Sequence, residues 1–149
     1  MTVNLPDIYL LIALSWKNHI HHVPAVRWFD LHRHEYFATC PATESGFIRL
    51  SMNSSVVGEP ADFKTAVSAL KLYHKNTKHV FWDISDDFAS LAGGFNVTGY
   101  RQVTDAYLFG LAVKNNGTLV TFDRKIADII SGLSNASDAE KHLVILDIL

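Results

Sequence analysis

Residues 117–125 read GTLVTFDRK. Leu119, Val120 and Phe122 surround Thr121 in a short apolar run that stops on Asp123, with Arg124 and Lys125 behind it. An uninterrupted run of this kind suits a strand buried on both faces, as in a parallel sheet covered by helices. A carboxylate has no place inside such a strand. At its carboxyl end it has two uses: it can cap the helix that follows, or it can face the crevice where ligands of open α/β sheets gather.

Four further runs resemble this one: about 2–5, 35–39 (EYFAT), 79–82 (HVFW) and 143–146 (LVIL). Segments of helical spacing separate them. Asp7–Trp16 carries Leu10, Leu11 and Leu14; Pro24–His34 opens on a proline and carries Val26, Trp28, Phe29 and Leu31. Pro41 opens a helix bearing Phe47, Ile48 and Leu50, and Pro60–His74 carries Phe63, Val67, Leu70 and Leu72. Ser85–Leu91 reads as a short helix, and Gln102–Asn115 as a longer one that Asn115-Asn116-Gly117 turns into the fourth strand. Asp123–Ile130 reads as another helix, and SDAE at 137–140 has the form of a capping box. Strands alternating with helices predict an α/β fold with a central, mostly parallel five-stranded sheet flanked by helices.

The 149 residues suit one domain spanning 1–149. With 48% hydrophobic and 19% charged residues the chain is globular rather than disordered, and a formal charge of −2 gives no support to a generic nucleic-acid coat. A single cysteine, Cys40, allows neither an internal disulfide nor a thiolate zinc cluster, so a reducing, cytoplasmic setting is expected. The apolar N-terminal run is broken by Pro6 and Asp7, which reads poorly as a signal peptide, and no run approaches the roughly twenty apolar residues of a membrane span.

Four carboxylates fall near the strand ends or helix starts. Asp7 follows the first strand, Glu44 lies one turn into the next helix, Asp105 opens the long helix, and Asp123 ends the fourth strand. Taken singly, each is an ordinary cap or first-turn residue. Taken together on one edge of a parallel sheet they form an oxygen-only donor set for Mg2+ or Mn2+, whose charge offsets their repulsion. Thr43, Thr104 and Thr121 stand beside them as caps or as hydrogen-bond partners for the carboxylates.

Four stretches, LPDIYLLIAL around Asp7, TCPATESGFIRL around Glu44, GYRQVTDAYLFGLA around Asp105 and TLVTFDR around Asp123, resemble the PIN-domain family and within it the VapC-type ribonuclease toxins of toxin-antitoxin pairs. HIHHVPAVRWF and HVFWDISD add smaller likenesses, and the resemblance spans nearly the whole chain. It implies a PIN-like three-layer fold and cleavage of RNA, transfer RNA being the expected class, by a Mg2+- or Mn2+-dependent endoribonuclease. It also implies a homodimer and a small VapB-type antitoxin as partner.

On this reading Asp7, Glu44, Asp105 and Asp123 hold metal, Asp7 and Asp105 most directly. Glu44 or Asp123 works through water, Thr121 assists on the same strand face as Asp123, and Arg101, Arg124 and Tyr100 are candidate RNA contacts. One position departs from the family pattern: Tyr9 stands where asparagine commonly follows the first aspartate. That motivates a second class, a weak or inactive PIN module that binds RNA or protein. A phosphoacceptor domain is a third, without a persuasive switch lysine. The HIHH run at 19–22 reads as structural or RNA-facing rather than as a zinc site, and Trp82, Tyr107 and Phe109 read as packing residues.

Overall fold

The computed structural model describes residues 2–83, 85–131, 133 and 136–148. Ile84, within HVFWDISD, lies outside them. Five strands form one sheet: β1 (Val3–Pro6), β2 (Tyr36–Thr39), β3 (His79–Phe81), β4 (Thr118–Thr121) and β5 (Leu143–Ile145). Their order is β3-β2-β1-β4-β5 and all four pairings are parallel. The chain builds outward from β1 to β2 and β3, then returns to place β4 on the other side of β1. The strand order therefore reverses between β1 and β4, where an open parallel sheet leaves a crevice at its carboxyl edge.

The helices are α1 (Ile8–Ser15), α2 (His22–Leu31), α3 (Pro41–Ser51), α4 (Phe63–Lys75), α5 (Phe88–Ala92), α6 (Val103–Lys114), α7 (Ala127–Ile130) and α8 (Ala136–Ala139). Alternation along β4 shows how they form two layers. Leu119 packs with Leu5 and with Leu108, Phe109 and Leu111 of α6, whereas Val120 packs with Leu10 of α1 and Trp28 of α2. Four consecutive residues of α1, Leu10 to Ala13, are buried, because Leu11 and Ile12 meet Phe47 and Leu50 of α3 on the side away from Leu10. A helix enclosed in this way must be apolar all round. Phe109 is fully buried, a contribution of about 1.5–3 kcal/mol from burial alone. None of the helices among the described residues is long and apolar enough to cross a membrane.

Several boundaries differ from the sequence expectation, for local reasons. α2 begins at His22, so Pro24 is its third residue rather than its opening one. That position is still tolerated, because the first four helical N–H groups have no intrahelical acceptor. α4 starts at Phe63 because Asp62 caps it, accepting from the Thr65 N–H at 2.8 Å. Asp87 likewise delays α5 to Phe88 by accepting from the Ser90 N–H at 2.9 Å. The segment after Asp123 divides into a 3-10 turn (Arg124–Ile126) and the short α7. Ser137 lies inside α8 and Glu140 opens a further 3-10 turn (Glu140–His142), so the SDAE capping box does not form.

The turn into β4 depends on Asn116 and Gly117. Asn116 takes φ 53°, a left-handed conformation that asparagine accepts more readily than most residues. A Cβ on Gly117 would sit 2.6 Å from the Trp82 ring and 2.8 Å from the Val3 carbonyl.

Candidate active site

Asp7 leaves β1 directly after Pro6. Its N–H donates to the Val120 carbonyl at 2.9 Å, which carries the β1–β4 pairing one residue past the strand. Its extended backbone (φ −71°, ψ 174°) makes it the N-cap of α1, with Oδ1 accepting from the Leu10 N–H at 2.8 Å. Oδ2 accepts from the Thr121 hydroxyl. The side chain is only 4% exposed. Burial pushes its carboxyl from 3.8 up to about 6, against the lowering effect of the Thr121 and Leu10 hydrogen bonds and with a further rise from the Asp123 charge.

Thr121 ends β4 and is 1% exposed. Its single oxygen also accepts from the Asp123 N–H at 3.0 Å, so one hydroxyl fixes Asp7 and the backbone of Asp123 together. Asp123 in turn caps the 3-10 turn behind it, accepting from the Lys125 N–H at 2.9 Å.

Asp105 enters from the first turn of α6. Its carboxyl is pushed up to about 7, first by burial and then by the charges of Asp7 and Asp123. Three carboxylates from β1, β4 and α6 thus share one field at the point of strand reversal. Protons or a cation must relieve that field. An oxygen-only donor set, crowded enough to hold protons near neutral pH, fits a hard divalent cation such as Mg2+ or Mn2+.

Glu44 has different company. It sits in the first turn of α3, which Pro41 opens and which Cys40 and Thr43 cap: the Thr43 hydroxyl accepts from the Cys40 N–H at 3.0 Å. The Glu44 Oε2 accepts from the Thr39 hydroxyl at 2.7 Å and lies 2.6 Å from the Nε2 of His74. His79 completes the group, with Nε2 2.7 Å from the Thr39 hydroxyl. Its imidazole is pushed below the usual histidine range by burial and by His74, against the raising effect of Glu44. The charges of Asp7 and Asp123 act on Asp105, whereas Glu44 turns toward histidines. Sequence reasoning missed Thr39, His74 and His79. The only local signal was a histidine opening an otherwise apolar strand.

The remaining candidates are at the periphery. Tyr100 is 81% exposed and Arg101 lies over its ring, 5.7 Å from the centroid, on the 3-10 turn (Tyr100–Gln102) that leads into α6. Arg124 pairs with Asp147 at the surface. Thr104 is exposed on α6, whereas Thr43 is fully buried as a cap. Tyr9 is 56% exposed, and both oxygens of Asp7 are engaged by Leu10 and Thr121. In the HIHH run, His22 Nδ1 bonds the Ala13 carbonyl at 2.7 Å and His19 Nδ1 accepts from the His21 N–H at 3.1 Å, which are structural uses. Trp82 and Phe109 are core residues, and Tyr107 stacks on Phe88 at 5.5 Å.

Comparison with known proteins gives a consistent picture. The chain is 39% identical over 131 residues to Ribonuclease VapC39 of Mycobacterium tuberculosis, covering 85% of this chain and 93% of that protein. It is 38% identical over 120 residues to Ribonuclease VapC38 of the same organism, covering 80% and 84%. Ribonuclease VapC29, also from M. tuberculosis, is 37% identical over 129 residues, covering 87% and 91%. No family model matches the chain. These relatives align along most of their length with a chain whose parallel sheet carries aspartates at its point of strand reversal, and on that ground the chain belongs to the VapC-type PIN-domain toxins.

Proposed function

We propose that residues 1–149 act as a single PIN domain, a divalent-metal-dependent endoribonuclease that is the toxin of a type II toxin-antitoxin pair. The observation that carries this reading is the mutual field of Asp7, Asp105 and Asp123 at the β1–β4 crevice, in a chain whose relatives are named ribonucleases.

Asp7, Asp105 and Asp123 would hold Mg2+ or Mn2+, with Glu44 contributing from α3 if it leaves His74. A cation held there would supply charge neutralisation at a phosphodiester and would make an attacking water more acidic. The chain's own residues do the positioning. Thr121 orients the Asp7 carboxylate through its hydroxyl and fixes the backbone from which Asp123 projects. Asp105 holds a proton near neutral pH when the pocket has no cation and yields it as positive charge arrives. Arg101 and Tyr100, exposed beside the start of α6, offer a guanidinium for phosphate and a ring for a base. The reading includes RNA as substrate, transfer RNA first, a VapB-type antitoxin, a homodimer and a cytoplasmic setting.

The test is cleavage of single-stranded and hairpin RNA with Mg2+ or Mn2+, followed by end-group analysis. Metal-dependent products with 5′-phosphate and 3′-hydroxyl ends, and silent Asp7→Asn and Asp105→Asn variants, are expected. Cleavage surviving both substitutions, or products with 2′,3′-cyclic phosphate, would overturn it.

A further inference from the structure

Outside the aspartate pocket, three donors converge from three elements: Glu44 from the first turn of α3, His74 from the last turn of α4 and His79 from the start of β3. One ligand atom from each lies within 4.8 Å of the others. The imidazoles stack with centroids 4.5 Å apart and planes 24° from parallel. The Nε2 of His74 meets Glu44 Oε2 directly at 2.6 Å, and the Nε2 of His79 reaches the Thr39 hydroxyl that donates to that same oxygen. A surface ion pair accounts for one histidine. It does not account for a second, half-buried imidazole stacked on the first with a ring nitrogen within 4.8 Å of the same carboxylate.

We propose that Glu44, His74 and His79 form a zinc site distinct from the aspartate pocket. Two imidazole nitrogens and one carboxylate oxygen are a donor set that zinc accepts and that magnesium, which prefers oxygen, does not. Tetrahedral zinc places its donors about 3.3 Å apart; the 2.6 Å His74–Glu44 contact therefore has to open slightly, and His74, with a side chain 42% exposed at a helix end, can do so by rotation. Thr39 then acts as the hydroxyl that orients the coordinating carboxylate. Three protein donors leave a fourth position open to water or a further ligand. The site overlaps the proposed nuclease only through Glu44, so its test reads metal uptake and not RNA cleavage.

Isothermal titration of the untagged full chain with ZnCl2, and with CoCl2 followed by visible absorption, tests the site, with circular dichroism melts confirming that each variant folds. One zinc per chain is expected at this site. His74→Gln and His79→Gln should each weaken it by more than about the tenfold that losing an outer-shell partner costs, while Asp7→Asn and His21→Gln should leave it in place. Absence of zinc binding, or uptake unchanged in both His74→Gln and His79→Gln, would overturn the proposal. The exposed His74 keeps the test decisive if His79→Gln does not fold.

Discussion

The two strands flanking β1 end alike and yet serve different chemistries. β4 ends on Thr121 and β2 on Thr39; both are buried, and each donates its hydroxyl to a carboxylate at the start of a helix, Asp7 and Glu44 respectively. Around Thr121 the neighbours are two further aspartates, and the local field pushes carboxyls up toward neutrality. Around Thr39 the neighbours are imidazoles: His74 meets the Glu44 carboxylate directly, and His79 meets the Thr39 hydroxyl. A strand-terminal threonine therefore sets where a carboxylate points, while the residues facing it from other elements decide what it can bind.

The comparison breaks most clearly at Asp105. Asp105→Asn removes the carboxylate that α6 contributes and should reduce RNA cleavage by about a thousandfold, within the range usual for losing an essential acid-base or ligand group; zinc uptake at the β2–β3 edge should not change. A nuclease assay beside a zinc titration checks both at once.

A pH-stability profile is the next largest effect. The folded-state pKa of Asp7 is about 6 against an ordinary 3.8, so the folded protein binds more protons than the unfolded chain between those values. The Asp7 contribution to cation-free stability should therefore be greatest below about pH 4, fall as pH rises and level off above about pH 6–7, by roughly 3 kcal/mol, while His19 and His79, held below the usual histidine range, act in the opposite direction. Asp105, with its carboxyl at about 7, extends the decline through neutrality. Calorimetric melts in EDTA from pH 4 to 8 should show this, and Mn2+ should restore stability at the high end. Asp7→Asn should flatten the decline, and a variant profile no different from that of the parent would mean that Asp7 is not crowded with charge.

Thr121→Val sharpens the contrast. It removes the hydroxyl from Asp7 and from the Asp123 N–H together, and should weaken Mn2+ binding and cleavage by about ten- to a hundredfold. Thr39→Val, the matching change on the other side of β1, should cost about 1 kcal/mol of stability, as one hydrogen-bonded group is lost; chemical denaturation measures it. Tyr9→Asn, which restores the commoner family residue, should shift Mn2+ affinity by no more than about 0.5 kcal/mol, because the side chain is largely exposed and both Asp7 oxygens already have partners.

The alternation of strand and helix was legible in the local residue pattern. Short apolar runs, Pro41 at a helix start and the Asn116-Gly117 turn are local signals, and each is satisfied within a few residues of where it is written. The sequence also placed Asp7, Asp105 and Asp123 at element ends, since those ends follow from the same local patterns. Element ends shifted where a nearby side chain outcompeted the apolar pattern, as with the Asp62 and Asp87 caps. That Glu44 faces the two histidines came from tertiary packing, because Glu44 meets His74 across 30 positions and Thr39 meets His79 across 40. Local propensity and periodicity reach about one helical turn. The partner of a carboxylate across an edge of the sheet is fixed by strand order and by how α3 and α4 pack over it.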